Sequence, residues 1–198
     1  MALIDSDTRE ALRSHFPVTV TCAVSGGQLV VDSQLVNRGP LNVWIFNVFW
    51  DYSEKSVLRK DARNAYVCLE GSELRLGRIV FPYPKGRMIG VAVQPHLSVL
   101  NAGASLSEHT ALAVPVDEFS CYQPKTRESP TLDATASTLS LTYGIIVGGE
   151  EAGFRRDATT GGWHLVDGRL MDRYIEVRSA PVSVKVPIKR RTDDFARF

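Results

Sequence analysis

From residue 18 onward the apolar positions fall at every second residue. Val18, Val20, Cys22 and Val24 alternate with Thr19, Thr21 and Ala23, the period of a strand with one buried face. Ser25-Gly26-Gly27 supplies a turn, and residues 29–36 return with Leu29, Val31 and Leu35 on one side. After Asn37-Arg38-Gly39-Pro40 comes the segment 43–52, VWIFNVFWDY, which is apolar on both faces. Such a strand is either central between layers or carries an exposed aromatic strip. Segments 65–70 and 73–81 flank Gly71-Ser72, a two-residue hairpin connection. Segments 88–94, 97–100 and 106–116 predict further strands, and 138–147 is strongly strand-like, with Leu139, Leu141, Tyr143 and Ile145 on one face. The glycine-rich run 148–153 is a loop, 154–167 predicts a hairpin across Gly161-Gly162, and 173–178 and 182–188 complete the set around Ala180-Pro181. Only the first segment has a helical period. Asp7 and Glu10 stand as a capping box, Leu12 and Phe16 share a face, and Pro17 stops it.

About ten short strands, frequent turns and connections too short for helical crossovers place the chain in the all-β class. The predicted architecture is an antiparallel two-layer, immunoglobulin-like β-sandwich with a short N-terminal helix; a partly closed β-barrel is the second choice. The pair of framework cysteines bracketing a tryptophan, the mark of antibody-type domains, is missing. Residues 29–46, a strand, an Asn-x-Gly turn and a second strand, resemble small bacterial sandwich domains of the intracellular-proteinase-inhibitor kind over that stretch alone. Residues 1–17 read as a helical segment packed on the core, 18–188 as a single elaborated sandwich domain, and 189–198 as a charged, mobile tail. Within the domain, 115–137 mixes charges with prolines and reads as a solvated loop.

Composition narrows the classes of function. With 198 residues, 44% of them hydrophobic, the chain can bury a real core. Its 23 Lys+Arg against 22 Asp+Glu give a formal charge of +1, which excludes a whole-chain electrostatic case for nucleic acid or acidic membrane. No run approaches the roughly 20 apolar residues of a membrane span. Cys22, Cys68 and Cys121 are odd in number and widely spaced, so buried thiols are expected in place of a disulfide framework. The first residues lack a basic region followed by an apolar run, and these features together predict a cytoplasmic setting.

The usual catalytic signatures are missing from the sequence. Gly-x-Ser-x-Gly, Gly-x-x-x-x-Gly-Lys-Ser/Thr, Gly-x-Gly-x-x-Gly and His-Glu-x-x-His are not found. His15, His96, His109 and His164 are scattered, so no metal and no cofactor is expected. Glu108-His109 cannot form a same-face couple within a regular strand, because neighbours point to opposite faces. Glu150-Glu151 with Asp157 lacks the order of a calcium loop.

The aromatic segment is the strongest binding candidate. Trp44, Phe46 and Trp50 share one face, Asp51 and Tyr52 follow, and Tyr83 and Trp163 stand beside turn residues. If that face is uncovered, it forms an apolar strip of the kind that marks a partner surface. The expected function is a non-enzymatic module that binds another protein or assembles with itself. One alternative is a small-ligand or carbohydrate binder using the same aromatics. The other is an enzyme whose site converges only in three dimensions.

Overall fold

The structure, a computed structural model, describes residues 6–48, 50–51, 59–60, 65–82, 95–120, 122–123, 128–158, 161–193 and 195; for residues 6, 7, 50, 51, 59 and 60 it describes the backbone. After the helix α1 (Ser6–Arg13), the chain forms β1 (Val18–Ser25), β2 (Gln28–Val36), β3 (Val43–Val48), β4 (Trp50–Asp51) and β5 (Arg59–Lys60). There follow β6 (Tyr66–Glu70), β7 (Glu73–Arg78), β8 (His96–Leu100), β9 (Ser105–Ala113) and β10 (Val116–Asp117). The last elements are β11 (Thr131–Val147), β12 (Phe154–Arg156), β13 (Trp163–Leu165), β14 (Tyr174–Arg178) and β15 (Val182–Arg191), with 3-10 turns at Glu151–Gly153 and Gly168–Arg173.

These strands make a β-sandwich whose sheets do not close into a barrel. The smaller layer has the order β1-β2-β9, antiparallel throughout. Its first hairpin closes at Ser25↔Gln28 because Gly26 and Gly27 both adopt positive φ, 58° and 75°, the twist a two-residue turn needs. The larger layer runs β10-β15-β11-β3-β8-β13-β12, with β7 and β6 joined to it through β11. Between the layers the alternating side chains meet: Val20, Leu29, Val31 and Leu35 from the small sheet against Ile45, Leu76, Leu139, Tyr143, Ile145 and Val186 from the large one. Phe16 enters the same core from the end of α1 and Leu12 packs beside it. Among the described residues no helix is long and apolar enough to cross a membrane.

The hub of the large sheet is β11, 17 residues long where the sequence predicts 138–147. β15 pairs with its first half and β14 with its second, while β7 and β3 occupy the other side. The first half was hidden by composition: Thr131, Leu132 and Asp133 pair with Arg191, Arg190 and Lys189, residues whose charge reads as solvated tail. A buried clasp holds them in place. The Glu118 carboxylate accepts the backbone N–H of Leu69 at 2.7 Å and of Arg191 at 2.6 Å, tying β6 to β15. The Arg191 guanidinium is itself buried, bonded to Asp193 and the Gln123 carbonyl and lying 5.0 Å from the centre of the Phe195 ring. So β15 runs through Arg191, past the boundary at 188, and 115–137 contains β10 and the start of β11 instead of a plain loop.

Two pairings depart from the antiparallel expectation. β7 runs parallel to β11, and β10 parallel to β15. Each pair joins strands distant in sequence, so no short connection forbids it. The predicted strand 88–94 lies outside the described residues, as does Cys121; Cys68 is buried and Cys22 half-buried.

Candidate functional site

β3 has all 6 of its residues buried. Val43 and Ile45 belong to the core between the layers, whereas Trp44 and Phe46 face a second apolar cluster on the other side of the large sheet. There Trp44 stacks on Phe154 at 3.7 Å and 18° and meets the edge of Trp163 at 5.1 Å; Phe46 meets Tyr174 edge-on at 5.7 Å. The β12–β13 hairpin and the turn at Gly168–Arg173 form the cover, and close approach is built in: a Cβ on Gly144 would lie 2.5 Å from Tyr174 Oη. Trp44 and Phe46 are therefore interior packing and present no strip to a partner. Trp163 is half-buried against them. Trp50 and Asp51 form β4, opposite Lys60 and Arg59 of β5, and Tyr52 and Tyr83 lie outside the described residues.

The histidines are less scattered than their spacing implies. His96 and His164 touch, with ring centres 3.9 Å apart, and His164 Nε2 lies 3.0 Å from Asp157 Oδ2. Burial first, and then the charge of His164, push the His96 pKa down to about 4 against the opposing pull of Asp157, so its imidazole is neutral at neutral pH. Asp157 thus serves His164, while Glu150 and Glu151 are exposed. His109 finds its carboxylate across the strands: Nδ1 lies 2.7 Å from Asp32 Oδ1, where β9 and β2 pair Asp32↔His109. Glu108, its neighbour in sequence, points into the sandwich. The Asp32–His109 pair lies on the outer face of the small sheet, in a shallow concavity with Thr19, Thr21, Gln34 and Ser107. Asp32 can fix the imidazole with Nε2 as acceptor. At 65% and 61% exposure, however, the pair is in water, without the dry surroundings that give such a dyad catalytic strength. Among the described residues no group of three or more His, Cys, Asp or Glu could hold a metal ion.

The sequence reading missed a polar node inside the sandwich. Tyr143 donates to Glu108 Oε2 at 2.8 Å, Asn47 Nδ2 donates to Oε1 at 2.9 Å, and Arg78 Nε stands 3.6 Å from Oε2. Ser33 bonds the Tyr143 hydroxyl at 2.9 Å, Ser98 donates to Asn47 at 2.7 Å, and Arg78 donates to Thr110 at 3.0 Å. Burial, and then the Glu108 charge, hold the Tyr143 hydroxyl far above its ordinary pKa, so it remains a donor. Every carboxylate oxygen is occupied, which makes the node a lock between layers. Its signal was present: Ser33, Glu108 and Thr110 occupy inward positions of strands that otherwise point leucine and valine to the core.

The remaining feature is a sheet edge. Among the described residues β1 pairs with β2 alone, in an unbroken register from Val18↔Leu35 to Ser25↔Gln28. Its 8 residues, VTVTCAVS, contain no charge, no proline and no glycine. Burial raises the Cys22 thiol pKa, so that side chain adds no charge. Sheet edges are normally guarded by charged side chains, proline or bulges. β15 carries Lys185 and Pro187, and β9 carries Glu108 and His109. β1 has none of these guards in its own sequence, and β15 of the large sheet runs close beside it. No family model, curated protein or solved structure matches this chain.

Proposed function

We propose that the chain is a non-enzymatic β-sandwich module that assembles with a second copy of itself by pairing β1 edge to edge. The observation that carries this reading is that β1, uncharged and without proline, pairs on one side alone among the described residues. An antiparallel pairing about a twofold axis through Thr21 sets Val18 opposite Val24, Thr19 opposite Ala23, Val20 opposite Cys22 and Thr21 opposite its own copy. Inward side chains then meet inward ones, no like charges oppose, and the two small sheets become one continuous sheet. About seven cross-strand pairs at roughly 0.2–1 kcal/mol each stand against the entropy of association, which makes the dimer weak, with a Kd of about 10 μM or above.

Sedimentation equilibrium over a concentration series tests the reading. The wild type should move from monomer to dimer, and Thr21→Lys, at an exposed outer-face position, should remain monomeric with its melting temperature little changed. A wild type that stays monomeric to about 500 μM, or a Thr21→Lys variant that dimerises equally well, overturns it. Pairing of β1 with a strand of a different protein would leave the wild type monomeric, and it counts against self-assembly.

A further inference from the structure

Beneath α1, against β11, β14 and β7, lies a cavity of about 600 Å³ whose lining includes Arg13, Ser14, Arg75, Thr142, Glu176 and Arg178. Thr142 projects from β11, where it pairs with Arg178 of β14 and Gly77 of β7. It is 3% exposed, and among the described residues its Oγ1 makes no hydrogen bond. Two residues earlier on the same face, Ser140 is buried as well, but its hydroxyl accepts Arg178 Nε at 2.9 Å. A buried hydroxyl with no partner is costly, and a ligand atom that bonds it recovers that cost.

The surrounding guanidinium groups are held in place with donors to spare. Arg178 Nη2 is fixed on Glu73 at 2.5 Å, and among the described residues Nη1 makes no hydrogen bond. Arg13 Nε donates to the Glu176 carbonyl at 3.0 Å and Nη1 to Glu10 at 2.7 Å, leaving Nη2 without one among the described residues. Arg75 is paired with Glu70 and Glu73, and the Glu176 carboxylate accepts the Tyr174 hydroxyl at 2.9 Å. Glu10, Glu70, Glu73 and Glu176 outnumber Arg13, Arg75 and Arg178, so the local field cannot hold a polyanion. Directed hydrogen bonds can hold a single small anionic group, and a planar, pre-positioned guanidinium suits the oxygens of carboxylate or phosphate.

We propose that this cavity binds a small oxyanionic group, a carboxylate or a phosphate, hydrogen-bonded by Thr142 Oγ1 and by the unbonded edges of Arg13 and Arg178. The cavity volume is in the range of small-molecule sites.

Titration of the full chain with inorganic phosphate and, separately, with succinate, each against sodium chloride at matched ionic strength, tests this by amide chemical shifts. Saturable shifts clustered at Ser14, Thr142 and Arg178 are expected with at least one probe, and the probe that produces them identifies the group. Thr142→Val should weaken binding about tenfold or more. The ligand-free variant should melt no lower than the wild type, because an unbonded buried hydroxyl has been removed. Thr142→Ser should retain binding. Failure of both probes to saturate by about 50 mM, affinity unchanged in Thr142→Val, or shifts spread over surface arginines in general would each overturn the proposal.

Discussion

Replacing Glu108 by alanine strands three donors between the layers at once. Tyr143 Oη and Asn47 Nδ2 lose their acceptor, and Arg78, 3% exposed, loses the carboxylate 3.6 Å from its Nε. Removing one member of a buried ion pair costs about 3–5 kcal/mol, most of it the charge left behind. Arg78 keeps its bond to Thr110 at 3.0 Å and Glu108 is 13% exposed, so some water can reach the gap. These facts favour the lower half of that range, while the two lost neutral bonds, about 1 kcal/mol each, push the value back up. An unfolding entropy of about 2.1 cal/mol/K per residue converts 3–5 kcal/mol into a fall in Tm of roughly 7–12 °C. Calorimetry gives that shift directly. The cycle formed by Glu108→Leu, Arg78→Met and the double variant isolates the pair, because the apolar double replacement leaves neither charge unpaired. The double variant should be more stable than the sum of the singles predicts, by about 1.5 kcal/mol or more. A Tm shift below about 2 °C for Glu108→Ala, or an additive cycle, would refute the lock between layers.

Two further outcomes follow from the second apolar cluster and its histidines. Trp44→Ala removes a side chain stacked on Phe154 and should cost about 3–5 kcal/mol in urea unfolding; near-neutral stability would show that the β12–β13 hairpin does not cover it. His96, with its folded pKa lowered to about 4 from 6.5, makes the protein acid-sensitive. Between those values the unfolded chain binds a proton that the folded protein refuses. Stability is therefore complete above pH 6.5 and declines as pH falls toward 4, by about 1–3 kcal/mol after allowance for water reaching the ring. His96→Gln should flatten that slope, and an unchanged slope would remove His96 as its source.

The sheet architecture was legible because a two-residue period survives in a single sequence. Val18 to Cys22, Leu29 to Leu35 and Leu139 to Ile145 point to the core as their alternation requires, while Val24, near the end of β1, is exposed. Elements whose order depends on distant partners were not legible. Lys189-Arg190-Arg191 have the composition of a tail, yet they are strand because Thr131 to Asp133 lie opposite and Glu118 accepts the Arg191 N–H. The candidate interface was only half legible. The edge residues of β1 could be read, but whether β1 is an edge depends on which strands lie beside it.

By itself the sequence determined the all-β class, the helix followed by strands, and the turns that set their lengths, since alternation, glycine and proline act locally. The tertiary structure decided which faces water sees. It covered Trp44 and Phe46 with Phe154, Trp163 and Tyr174, and it gave His109 to Asp32 and Glu108 to Tyr143. It also left Thr142 buried without a partner and β1 paired on one side among the described residues. Burial and pairing are properties of elements brought together from far apart along the chain, and no local pattern of residues contains them.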